Sequence, residues 1–254
     1  MLPADLQAAE GQLREALDAA LAAEPRGRWT VELRFEGLRL LPVALRLAAD
    51  LRASRPDLRL LFPDAGAAAL AQRDAPELAG LLASFGDERR RQRARQQAEA
   101  GGLEASESGA TVARAPQDPG DGNGLLVLVA PAQSEYEEVE ALCGEHRGPV
   151  VLLNPSLEDA AVGIGSVARQ RRRGFLAQWR SAYALVPQLA SALRHSHPGP
   201  WELYRLDPDG FRAVASFERR PDGEEQERAL SDGAAPGLGA NLRALGDLIE
   251  GLQN

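Results

Sequence analysis

Two short runs, residues 125–130 (LLVLVA) and 150–153 (VVLL), constrain the fold of this 254-residue chain more than any other feature. Neither alternates polar with apolar side chains, so both faces of each run must be covered, and strands covered on both faces belong at the centre of a parallel sheet. Parallel neighbours need a crossover. Residues 134–145 supply one, an acidic helix with Ser134 placed to cap it and Tyr136, Val139 and Leu142 on its inner face. The three segments predict a βαβ unit.

The flanking segments extend that unit. Leu2, Leu6, Ala9, Leu13, Leu17 and Ala20 recur at helical spacing up to Pro25. Trp29, Val31, Leu33 and Phe35 then alternate with Thr30, Glu32 and Arg34, the pattern of a strand with one polar face at an edge or half-covered. A leucine-rich helix over 38–51, with Pro42 near its start, precedes a short apolar strand at 58–62. Residues 64–85 read as two short helices broken near Pro76, and 87–100 as a solvated or frayed helix with almost no apolar face. Residues 101–123 are rich in Gly, Ser, Pro, Asp and Glu and are expected to form a disordered insertion. Beyond it, 166–182 reads as an arginine-rich helix and 183–186 as a strand. Two strands flanking Asp207-Pro208-Asp209-Gly210 predict a hairpin, and Leu238, Leu242, Leu245, Ile249 and Leu252 a final amphipathic helix. The expected fold is one α/β domain over 1–254: a three-layer mixed sheet with a parallel centre, an antiparallel hairpin late in the chain, and helices on both faces.

Composition narrows the function. Acids outnumber bases 37 to 29, a net charge of −8, which disfavours general nucleic-acid binding because phosphate affinity needs a cationic surface. All 29 bases are arginine, so chemistry that needs a lysine amine, as in Walker-A ATPases, Schiff-base enzymes and kinases, is excluded. One cysteine, Cys143, permits no intrachain disulfide, and no run of 18 apolar residues or basic, apolar leader is present. A cytoplasmic protein, soluble or peripheral to a membrane, is expected.

Ligands of open parallel sheets bind beyond the carboxyl ends of the strands. Three such ends carry proline: Phe62-Pro63-Asp64, Ala130-Pro131-Ala132 and Asn154-Pro155-Ser156. They either simply terminate strands or form a crevice holding Asp64 and Asn154 together with Gly163 and Gly165; Asp64 serves equally as a helix cap. Gly163-Ile164-Gly165-Ser166-Val167-Ala168 fits a relaxed dinucleotide pattern, but nine residues separate it from the strand and no acid follows at the next strand's end, so no cofactor is expected. Arg169, Arg171, Arg172, Arg173 and Arg180 form the strongest anion- or partner-binding candidate, the alternative being a solvated face. A second run, Arg89, Arg90, Arg91, Arg93 and Arg95, adjoins the insertion and suits a partner or acidic headgroups. His195 and His197 lack a third ligand, so no metal site is expected, and Cys143 reads as an inert thiol. No catalytic constellation emerges.

The order of segments nevertheless carries a resemblance. Leu61-Phe62-Pro63-Asp64, Leu128-Val129-Ala130-Pro131, Val150 to Pro155, Val162 to Gly165, Arg173 with Phe175-Leu176, Ala182-Tyr183, Pro198 to Arg205, and Phe217 with Arg220-Pro221 follow one another as in an uncharacterised domain family of cyanobacteria and chloroplasts. That family includes the plant low photosystem II accumulation protein of the third locus and a domain fused to a chloroplast adenylate kinase. The chain resembles it over about residues 28 to 221, minus the insertion. The resemblance implies a link to oxygenic photosynthesis and supplies no catalytic residues. It points to a non-catalytic auxiliary or assembly factor at the cytoplasmic face of the thylakoid, whose partners are photosystem subunits or assembly factors; since arginine and aromatic side chains are the usual interface anchors, the expected contacts are the arginine helix and the aromatics Trp201 and Tyr204, with a core role an equal alternative for Trp201. The alternative is a nucleotide- or phosphometabolite-binding protein or enzyme using the crevice.

Overall fold

A computed structural model describes residues 1–104, 123–157 and 174–231. In chain order the elements are α1 (Leu6–Ala23), β1 (Arg28–Leu33), α2 (Leu40–Arg52), β2 (Arg59–Phe62), α3 (Ala65–Asp74), β3 (Leu82–Ser84), α4 (Phe85–Glu104), β4 (Leu126–Val129), α5 (Tyr136–Glu145), β5 (Val150–Leu153), β6 (Arg180–Gln188), β7 (Ser191–Ser196), β8 (Trp201–Asp207), β9 (Gly210–Phe217) and α6 (Gly223–Ser231). Short 3-10 turns occupy Pro76–Leu81, Gln133–Glu135 and Leu176–Gln178. The class is the expected mixed α/β, with parallel strands early and antiparallel hairpins late. The chain forms two compact units, one of Arg26–Arg28 and Ala44–Gln178, the other of Met1–Pro25, Trp29–Val43 and Trp179–Asn254.

In the unit built around 44–178, β3, β2, β4 and β5 lie side by side in that order, all parallel. Every residue of these four strands is buried, which is what their unbroken apolar runs require. From β2 the chain steps outward through α3 to β3; from β3 it returns through α4 to β4 and continues through α5 to β5. Right-handed crossovers then place α3 on one face and α4 with α5 on the other, and α4 does pack on α5. The chain direction reverses between β2 and β4, making their carboxyl ends a topological switch point.

α4 corrects the expectation of a solvated helix. Its inner stripe is polar yet buried: Glu88 pairs with Arg59 at 3.2 Å and with Arg95 at 2.9 Å, and Gln92 Nε2 donates to the Leu142 carbonyl at 3.1 Å. A helix without an apolar face packs here because its polar groups find charged and backbone partners. α4 also runs to Glu104, four residues into the segment expected as an insertion; 105–122 lie outside the described residues, and Asn123 is described.

In the other unit β1 pairs in parallel with β6, and β6 to β9 form an antiparallel meander. α1 covers the face carrying Tyr183 and Arg194, both of which donate to Gln12 Oε1 on that helix, at 3.2 and 3.1 Å. α6 brings Ala229 and Leu230 onto the opposite face, against Ala184, Leu193, Trp201 and Leu203. Helices thus cover both faces of this meander.

Three expectations fail in this unit. β6 begins at Arg180, where a helix was expected to run on to residue 182, and β7 holds His195 in a segment for which no strand was expected. β1 is not half-solvated either: Glu32 is buried and pairs with Arg220 at 3.1 Å. In each case neighbouring strands or a distant arginine supply partners that local pattern does not record. The C-terminal helix expected at 238–252 lies outside the described residues.

Candidate functional site

The carboxyl ends of β2, β3, β4 and β5 are where the parallel sheet opens to a ligand. β4 and β5 leave it in the same unusual way: Ala130 and Asn154, each followed by proline, adopt φ of 47° and 50°. They are neighbours, since the Ala130 N–H donates to the Leu153 carbonyl at 2.7 Å, and the two exits re-pair through Ser156 N–H to the Pro131 carbonyl at 2.8 Å. Left-handed backbone at an alanine costs about 1–2 kcal/mol, so the surrounding structure imposes it.

Asp64 sits at the third exit, exposed, and its Oδ1 accepts from the Ala67 N–H at 2.9 Å; it caps α3. Ser134 does not cap α5. It lies within the 3-10 turn that precedes the helix, and Glu135 bonds back to the Ala132 N–H at 2.8 Å. A β3 end that the sequence reading missed starts α4 with a reciprocal cap: Ser84 Oγ donates to Asp87 Oδ2 at 2.7 Å and accepts from the Asp87 N–H at 3.1 Å. The Ser84 hydroxyl and backbone N–H, with Arg90 adding, hold the Asp87 carboxyl below the usual carboxylate range. The Ser-x-x-Asp spacing at 84–87 was the available signal for this helix start.

A cavity of about 410 Å³ lies beside that cap, between the first turns of α4 and α5, lined by Gly86, Arg89, Arg90, Arg93, Glu137 and Glu138. Arg89 is engaged by Glu145 at 2.7 Å and Arg90 by Asp87. The second arginine run of the sequence therefore divides: Arg91 and Arg95 turn to buried Glu88, while Arg89, Arg90 and Arg93 line the cavity.

The other sequence candidates fall elsewhere. Arg169, Arg171, Arg172, Arg173, Gly163 and Gly165 lie outside the described residues. Arg180 is the first residue of β6, lies over the Trp29 ring at 4.4 Å and pairs with Glu24. Trp201 and Tyr204 are both 6% exposed, which favours the core alternative for Trp201 and places Tyr204 in the core as well. Trp201 stacks on His195 at 4.8 Å beneath the Arg220 guanidinium, and the Tyr204 hydroxyl donates to Glu202 at 3.0 Å. His195 and His197 do not form a pair: His197 meets the edge of Trp29 at 4.9 Å, while His195 Nε2 bonds the Ser181 carbonyl at 3.0 Å. Cys143 is buried, and burial pushes its thiol up to about 12, so it is inert at neutral pH.

The fold defines a mixed α/β protein, with a candidate ligand cavity between the first turns of α4 and α5. Residues 3–228 match the family described as a domain of unknown function (DUF1995), and the chain belongs to that family. No curated protein and no solved structure matches the chain.

Proposed function

We propose that this chain is a non-catalytic auxiliary factor of oxygenic photosynthesis that binds a photosystem assembly intermediate, of photosystem II in the first instance, at the cytoplasmic face of the thylakoid. The observation that supports this reading is the ordered set of segments from Leu61 to Pro221, which lies within the family match over 3–228 and resembles the cyanobacterial and chloroplast set that includes the low photosystem II accumulation protein. Among the described residues one cationic surface suited to such a partner is the solvent side of α4, where Arg90, Arg91 and Arg93 are exposed. Arginine is suited to it because its planar fork engages carboxylates bidentately. Among the described residues no helix is long and apolar enough to cross a membrane.

The test is a pull-down of tagged protein from solubilised cyanobacterial membranes, wild type against Arg90/Arg91/Arg93→Glu and against Arg171/Arg172/Arg173→Glu, alongside a deletion strain. Photosystem subunits in the wild-type eluate, depleted in one variant, together with reduced photosystem levels in the deletion strain, are expected. Normal photosystem levels in that strain overturn the proposal.

A second reading is a nucleotide- or phosphometabolite-binding protein, favoured by the switch point between β2 and β4 and the strained exit at Ala130. It predicts that a nucleotide or phosphosugar at millimolar concentration raises the melting temperature, because binding to the folded state must stabilise it.

A further inference from the structure

We propose that the cavity between α4 and α5 binds a small zwitterion of the amino-acid class, its carboxylate held by Arg90 and Arg93 and its ammonium by Glu138. The inference is independent of the assembly role. It starts from Gly86 on the cavity floor. A Cβ placed there would lie 3.7 Å from Arg90 Nη1, 3.9 Å from Glu138 Oε1 and 3.9 Å from Ser84 Oγ. A cation, an anion and a buried hydroxyl therefore lie within 4 Å of one point beside Gly86. Arg90 and Glu138 straddle it without pairing with each other. An amino-acid head group carries a carboxylate and an ammonium on one carbon, so it presents one charged hydrogen-bonding group to each of these side chains.

Charge selects the ligand class. Three guanidinium groups line one wall, on α4, Arg89 paired with Glu145 and Arg90 with Asp87, and two carboxylates the other, on α5. A polyanion such as a nucleotide would be driven against Glu137 and Glu138, and a polycation against the arginines. A ligand carrying one charge of each sign satisfies both walls, and opposite groups placed this way favour it over either singly charged half. The volume of about 410 Å³ accommodates an amino acid with its side chain. The cavity also lies on the carboxyl-end side of the parallel strands, beside the starts of the helices that follow β3 and β4.

The experiment is thermal-shift and calorimetric titration of the full chain with each of the twenty amino acids, with acetate, methylammonium, inorganic phosphate and ATP as comparison probes. At least one amino acid is expected to raise the melting temperature saturably, with acetate and methylammonium inactive. Gly86→Ala makes only ordinary contacts and favours the helix, so it should fold at least as stably as wild type while weakening the ligand-dependent shift through the methyl it places between Arg90 and Glu138. Glu138→Gln should weaken binding about tenfold or more. The proposal is overturned if no amino acid shifts the wild-type protein up to tens of millimolar, if Gly86→Ala responds like wild type, or if phosphate or ATP binds in their place and Glu138→Gln strengthens that binding. None of these readouts involves a photosystem, so they stand or fall apart from the assembly role.

Discussion

Arg28 offers the sharpest quantitative test of how this fold is held. Its guanidinium closes the carboxyl end of α5, donating through Nη1 to the Gly148 carbonyl at 2.8 Å and through Nη2 to the carbonyls of Cys143 at 2.8 Å and His146 at 3.0 Å. These acceptors include carbonyls left unpaired at the helix end, where the helix dipole is also negative. Burial pushes the Arg28 pKa down, the sign that desolvation offsets part of the gain. Three bonds at about 1 kcal/mol net each give roughly 3 kcal/mol for Arg28→Met, which keeps the stem and removes the fork. Lysine reaches one carbonyl with a point charge, so Arg28→Lys should recover about a third of that. Because the chain forms two compact units, the probe should be local. The chain's one cysteine, Cys143, lies buried in the last turn of α5, so its thiol reacts with a disulfide reagent only when that helix end opens. A loss of about 3 kcal/mol raises the native-state labelling rate roughly a hundredfold in Arg28→Met. Less than a fivefold change, or full rescue by lysine, would refute the argument that three carbonyls share this side chain.

The remaining predictions concern single features. Trp201→Ala should cost about 3–4 kcal/mol in urea unfolding, since the ring is buried between His195 and Arg220; an interface anchor would cost almost nothing in the isolated chain. Burial lowers the pKa values of His146, His195 and His197 from 6.5 in the folded protein, so the unfolded chain binds protons first on acidification. Stability is therefore full above pH about 7 and falls as the pH drops through 6.5 toward the lowered folded values; melting temperatures unchanged between pH 7.5 and 5 would contradict this. Ala130→Gly should stabilise the protein by up to about 1 kcal/mol by relieving the left-handed alanine, measured as an increased urea midpoint.

Much of the parallel part was legible because burial on both faces leaves a local signature: the runs at 125–130 and 150–153 admit no other place in a sheet. The site was legible only in outline. Proline after each strand marked the three exits, and Asp64 was correctly weighed as a cap. The cavity itself was not visible, because Gly86, Arg90 and Glu138 are brought together by two crossovers, and no spacing within one segment encodes that meeting. β3 escaped notice because three residues cannot display a period.

What the sequence determined by itself is the set of local choices: where most helices and strands lie though not their ends, which strands are covered on both faces, which chemistry the absence of lysine forbids, and that Cys143 makes no intrachain bridge. These follow from backbone sterics, capping and the period of the apolar pattern, each fixed within a few residues. The tertiary structure decided the fate of the polar and aromatic side chains. Glu32 and Glu88 looked solvated and are buried because Arg220, Arg59 and Arg95 reach them; Trp201 looked like an anchor and is covered because His195 and α6 lie against it. A charged or amphipathic residue is exposed or buried according to whether a partner arrives from elsewhere in the chain, and that is a property of the packed molecule.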